Sequence, residues 1–178
     1  AYVKEIEKYR EAQNTEFLDP LKSPLTAEQR KQFKGHDFFP IDPNYKVVAR
    51  FEATPEARPF QLGTSKGTQQ IYRRLGILHF EIDGLEQTLE AYLRVQGFGM
   101  ASKVNYVFLP VIDATTGEST YAAGRYLHFD GIPEGSDWTI DFNKLYNPLC
   151  AYDDRYECPL VPEPNYLSIA IEAGIRGF

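Results

Sequence analysis

From Tyr45 onward the hydrophobic pattern repeats every two residues, and this period limits the open folds more than any other feature. In "YKVVARFEA" Tyr45, Val47, Ala49 and Phe51 share one face, with Lys46, Arg50 and Glu52 on the other; Val48 breaks the polar side. A strand with one face on a core and one in water gives this alternation, because successive side chains leave opposite sides of the pleat. "PFQLGTS" and "QIYRRLGILHFEID" continue it, with Leu78, Phe80 and Ile82 opposite Ile77, His79 and Glu81. Asp83-Gly84 is a two-residue hairpin signal, and "QTLEAYLRVQ" reads as the returning strand. "NYVFLPVIDATTGESTYAAGRYLHFDG" reads as a second hairpin that turns near "ATTG" and returns from Tyr121 to Phe129. "DWTIDF" and the late "NYLSIAIEAGIRGF" bring the set to about eight short strands without helical crossovers. The expected fold is mainly β: a single antiparallel meander, closed as a barrel or stacked as a sandwich.

Upstream the period changes to that of a helix. Val3, Ile6, Tyr9 and Ala12 stand at helical spacing between charged residues, which predicts a helix over 2–17 ended by Asp19-Pro20. Thr26 and Gln29 have capping-box spacing, so a short second helix runs to about Phe33 before Gly35. The expected organisation is an N-terminal helical segment, 1–34, packed on an antiparallel β domain, 35–178. An irregular loop occupies 143–165.

Length and charge exclude several classes. A chain of 178 residues buries a single core without metals or many disulfides. A net charge of -6 with no run of lysine or arginine argues against nucleic-acid or anionic-membrane partners. No segment approaches the roughly 20 apolar residues of a membrane span. The opening residues lack the apolar centre of a secretion signal, so the compartment stays open between cytoplasm and cell envelope. Oligomeric state is not constrained.

Chemistry-bearing residues concentrate in "DFNKLYNPLCAYDDRYECPLVPEPN", which holds both cysteines. Three readings are open for Cys150 and Cys158. A disulfide would stabilise by about 2.5 kcal/mol on the chain-entropy estimate; the alternatives are free buried thiols and a catalytic or metal role. No metal site is expected, because His79, His128, Cys150 and Cys158 have no ligand spacing in common. No cofactor is expected either: "GFG" at Gly97 and Gly99 lacks the spacing and helix of a phosphate loop, and no hydrolase or zinc-protease motif occurs. Asp141, Asn143 and Asn147 either pin the loop's own backbone or face a pocket walled by Tyr146, Tyr152 and Tyr156. Arg125, in a half-buried strand, demands a buried carboxylate or an anionic ligand; Asp141 is the expected internal partner.

The stretch "GESTYAAGRYLHF" followed by "TIDFNKLYNPLCAYDDRYECPLVPEPNYLSIAIEAG" resembles an uncharacterised bacterial and fungal family, a domain of unknown function (DUF1684-like). The resemblance runs from about His36 and is sharpest over 113–174. It departs at Leu149, where the family has a second proline, and at Ile175, where it has a glutamate. It implies the place of a site rather than a reaction, and it admits an envelope location. The site residues so marked are Arg125, Tyr121, Asp141, Asn143, Tyr146, Asn147, Tyr152 and Asn165. The leading expectation is a pocket for an unidentified small molecule, of binding or enzyme-like character, around Arg125 and the 141–165 loop. The alternatives are a structural or protein-interaction domain that these residues only lock, and a hydrolase using Cys150 or His79.

Overall fold

The computed structural model describes residues 1–95 and 106–177. Among these residues, helices α1 (Tyr2–Leu18) and α2 (Ala27–Gln32) precede seven strands: β1 (Lys46–Ala53), β2 (Phe60–Gly63), β3 (Gln69–Ile82), β4 (Leu85–Arg94), β5 (Val107–Val111), β6 (Arg125–Phe129) and β7 (Asp137–Asp141). They form one antiparallel sheet in the order β6-β5-β4-β3-β1-β7, with β2 paired to the start of β3. The sheet curls into a half-barrel with the N-terminal helix beside it. The fold is mainly antiparallel β, as the alternation predicts. The "GFG" glycines, and the outer ends of the strands expected to close at Gln96 and to open at Asn105, lie outside the described residues.

The β3–β4 hairpin shows how the sequence makes the sheet. Ile82 pairs with Leu85 across a two-residue turn. Asp83 (φ 51°) and Gly84 (φ 76°) are both left-handed, the type I′ geometry that matches strand twist. Along β3, Leu78, Phe80 and Ile82 are buried while Ile77, His79 and Glu81 face outward or stay partly exposed. The pairing with β4 shifts register between Arg74 and Gly76. Such a bulge bends the long strand, whose first part pairs with β2 and second with β1.

Both faces of the β4–β6 region are covered. The inner face carries the main core, including Leu78, Leu89, Leu109, Leu127, Ile140 and Phe142. Tyr92, Phe108 and Tyr126, the alternate residues of the same strands, form a second cluster with Leu62, Tyr72 and Val161 on the outer face. All five residues of β5 are therefore buried.

Three expectations are corrected. The second arm of the later hairpin starts at Arg125, not Tyr121, because 113–120 closes a compact turn of its own through Thr116 N–Asp113 O (3.0 Å) and Thr120 N–Thr115 O (3.1 Å). No strand forms over 165–177; that segment is extended and inward-facing, tied by single bridges such as Ile112 with Tyr166 and Phe38 with Ile175. Helix α1 buries Ile6, with Tyr9, Gln13 and Phe17 partly covered, whereas Val3 and Ala12 are exposed. Its packing face is aromatic and polar, one step round from the aliphatic stripe.

Candidate functional site

Strand β6 separates two groups of polar residues by its alternation. Arg125 and Leu127 point to the interior, Tyr126 and His128 to the outer face. Arg125 is 1% exposed. Its Nη1 donates to the carbonyls of Ala173 (2.6 Å) and Ile175 (2.9 Å), and its Nη2 to Ile171 O (2.9 Å), Asp113 Oδ1 (3.4 Å) and Thr115 Oγ1 (3.5 Å). Asp113 in turn accepts from Thr115, Thr116 and the Ile171 N–H, the last at 2.5 Å. The carboxylate partner is thus Asp113 and not Asp141, which corrects the expected pairing. Burial pulls the guanidinium's pKa below its ordinary value and Asp113 opposes that shift. The carbonyls converge because Gly174 takes φ 74°, at a place where a Cβ would stand 2.7 Å from Phe142 O.

Asn143 and Asn165 are saturated in the same way. Asn143, fully buried, donates through Nδ2 to Asp42 O (2.8 Å) and Asp141 Oδ1 (3.1 Å), and accepts from Asp42 N (3.0 Å). Asp141 also accepts from Tyr2 Oη at 2.8–2.9 Å, which ties the start of α1 to the end of β7. Burial, then the hydrogen bond to Asp141, raises the Tyr2 phenol's pKa. Asn165 donates to Glu90 O and Pro110 O (both 2.9 Å) and accepts from Glu90 N (2.8 Å), crossing from the C-terminal segment to β4 and β5.

The outer face of β6 has a different character. Tyr126 and Tyr146 exchange both backbone hydrogen bonds (2.8 and 3.1 Å), so the loop after β7 lies along the free edge of β6. Between this loop, β6 and helix α1 opens a cavity of about 580 Å³. Tyr146, Asn147 and Tyr152 line it from the loop, and Tyr9, Gln13 and Phe17 from α1. His128 Nδ1 and Tyr106 Oη each stand 2.9 Å from Tyr146 Oη, and His128 Nε2 is 3.1 Å from Asp130 Oδ1. Burial pushes Tyr9 and Tyr152 each up to about 12, and Tyr126 and Tyr146 above their ordinary range, so these phenols stay neutral at physiological pH. His36, against Phe17 at 4.2 Å, is pulled down to about 4 by burial.

Two buried acceptors on residues of this lining have no partner among the described residues. Asn147, 4% exposed, donates through Nδ2 to Tyr152 Oη (3.1 Å) and Gly177 O (2.9 Å), but its Oδ1 accepts from nothing. Gln13 Oε1 is likewise unmatched, while its Nε2 donates to Tyr9 Oη at 3.3 Å.

Of the residues marked in the sequence, the fold brings Tyr146, Asn147 and Tyr152 together at this cavity. Asp141 borders a neighbouring one of about 600 Å³ along the seam between β6 and β7. Tyr121 reaches Cys150 instead, Oη to Sγ at 4.0 Å. The expectation of a Cys150–Cys158 disulfide is not supported: both are free thiols, and the Cys150 N–H donates to Cys158 Sγ at 3.2 Å. Burial, reinforced by Cys150, pushes the Cys158 thiol up to about 12. His79 pairs with Glu52 (2.8 Å) away from both cysteines. Among the described residues no group of three or more His, Cys, Asp and Glu side chains converges as a metal-ligand set. No helix among them is long and apolar enough to cross a membrane. The α1 contribution escaped sequence reasoning, because Gln13 and Phe17 carry no local signal beyond helical spacing from Tyr9.

The model of the family described as "Protein of unknown function (DUF1684)" matches residues 31–176. The chain belongs to this family. The DUF1684 match takes in all seven strands and the segment after β7, and only the last two residues of α2. The chain is similar over 99% of its length to a solution NMR structure, that of the uncharacterized protein from gene locus rrnAC0354 of Haloarcula marismortui. The identity is 32%, the TM-score 0.74, and 94% of that chain is covered. No curated protein matches the chain.

Proposed function

We propose that this DUF1684 protein binds a small molecule in the cavity between α1, β6 and the 146–159 segment. The observation that carries this reading is Asn147 Oδ1, a nearly fully buried acceptor with no donor among the described residues, on a residue of a lining rich in aromatic rings. Buried polar atoms are almost always hydrogen-bonded, since leaving one unmatched costs about 1–3 kcal/mol. The volume falls within the range of about 300–1,000 Å³ usual for ligand sites.

The alternative, a constellation that only locks the fold, is supported for a different set of residues. Arg125, Asn143 and Asn165 are hydrogen-bonded to main-chain carbonyls of the fold and do not line this cavity. A hydrolase using Cys150 or His79 has less in its favour, because His79 bonds to Glu52, and Tyr121 and Cys158, which meet Cys150, are both held at about 12 and are no base at neutral pH.

Replacing Leu149, a half-exposed residue of the lining, by tryptophan narrows the cavity without removing a side-chain hydrogen bond. Saturation-transfer NMR with a library of small aromatic fragments tests the reading. Hits on the wild-type chain are expected to disappear in Leu149→Trp. Hits that persist unchanged in the variant, or no hits at millimolar fragment, contradict it.

A further inference from the structure

Resting on the binding reading above, we propose that His36 holds the ligand's polar group in this cavity, and that the group is uncharged, an alcohol, phenol or amide on an aromatic body. His36 stands in the wall between the cavity and one of about 590 Å³ beside Phe33 and Asp37. Of the three histidines in the chain, His79 is bonded to Glu52 (2.8 Å), and His128 to Tyr146 (2.9 Å) and Asp130 (3.1 Å). The ring nitrogens of His36 bond to no described residue. Nor are they sealed in. The occluded side-chain nitrogens and oxygens without a partner all belong to Arg10, Gln13 and Asn147, so the His36 nitrogens keep accessible surface.

The ring is fixed by its neighbours. Phe17, Phe33 and Phe38 meet it edge-on with centroids at 4.2, 5.0 and 5.9 Å, and Tyr152 is tilted to it at 5.9 Å. The His36 backbone N–H donates to Asn14 Oδ1 (2.8 Å), which ties the residue to α1. A neutral imidazole offers one N–H donor and one lone pair, and a hydroxyl or amide offers the complementary pair. Burial alone pulls this imidazole down to about 4; no charged side chain contributes, neither Glu16, Lys22 and Glu157 of the lining nor Asp37 next in the chain. Asp37 is taken by Arg176 at 3.0 Å. A carboxylate or ammonium held at the ring would therefore lack a counter-ion, and burying a charge without one is costly.

Two measurements on the full chain test this. Diethyl pyrocarbonate at pH 6 transfers its ethoxycarbonyl group to an accessible neutral imidazole nitrogen. Peptide mass spectrometry should find His36 modified in the folded wild type, and more slowly once benzyl alcohol is bound. NMR titration at pH 7 with benzyl alcohol, benzoate and benzylammonium separates the cases by charge at nearly constant shape. Benzyl alcohol is expected to bind tighter than either ion by about threefold or more, the size of one neutral hydrogen bond. His36→Phe, which keeps the ring packing, should remove that advantage and leave the ions unchanged. An ion that binds as tightly as the alcohol overturns the uncharged assignment. A His36 that is unmodified or unprotected, or an alcohol affinity unchanged in His36→Phe, overturns the role of His36 and leaves the cavity as a binding site. No binding of any of the three at millimolar concentration overturns the binding reading and this inference with it.

Discussion

Arg125 and Asn147 look alike in sequence, as polar residues among aromatics, yet their environments differ in kind. Arg125 spends its guanidinium on three carbonyls and Asp113, so truncating it strands a buried carboxylate. Arg125→Met should cost about 3–5 kcal/mol in urea unfolding, as breaking a buried ion pair does. Arg125→Lys, which keeps charge but not the planar fork, should recover less than half of that. A loss under about 1 kcal/mol for Arg125→Met would contradict the lock. The inward direction of Arg125 was legible in the sequence, because it shares parity with Leu127 and not with Tyr126 and His128, but its place in the pocket was expected and the structure puts it outside the cavity. The partner was not. Asp113 lies in a turn twelve positions earlier in the chain, and only the folded path of 112–124 brings it to Arg125 in preference to Asp141. The thiols give a second check at this scale: unfolded, non-reduced protein should titrate two free thiols with Ellman's reagent, and none would contradict the structure.

Among the elements, the strands were readable because one-sided burial forces period two, and β1, β7 and β3 beyond its bulge follow it residue by residue. The same signal misled at the C-terminus. Leu167, Ile171, Ala173 and Ile175 alternate inward, but period two reports extended backbone facing a core, whether or not a ladder forms beside it. Here Arg125 takes the carbonyls a neighbouring strand would have used. Helix α1 makes polar contacts to the β7 end and the turn after it, Tyr2 to Asp141 and Tyr9 to Lys144 O. Asp141→Ala should therefore raise hydrogen exchange in α1 while β4 and β5 amides keep their protection; uniform loss of protection would contradict this. His36, packed between Phe17, Phe33 and Tyr152, adds a pH dependence. Its folded pKa, about 4, lies below the ordinary 6.5. The unfolded chain therefore takes up the proton first, and stability falls as pH drops from about 6.5 to about 4. The melting temperature of wild type should fall more steeply across that window than that of His36→Phe; parallel curves would contradict the assignment.

For the whole molecule, the half-barrel divides its buried polar groups by face. The interior and the strand ends hold saturated groups that fix the fold: Arg125 with Asp113, Asn143 with Asp42, and Asn165 with Glu90 and Pro110. The outer face of β6, roofed by α1 and the 146–159 segment, holds neutral phenols, imidazoles and unmatched acceptors around about 580 Å³. The sequence shows the aromatic loop but not its roof, because α1 is more than a hundred residues away in the chain. The most direct test of this division is amide chemical-shift mapping of the wild-type chain, titrated to saturation with the tightest fragment from the saturation-transfer screen. The account predicts the largest shifts at Gln13, Phe17, Asn147, Leu149 and Cys158, with the amides of Asp113 and Asn165 unmoved. Shifts centred instead on Asp113 and Arg125, or on the separate cavity beside Phe33 and Asp37, would contradict it.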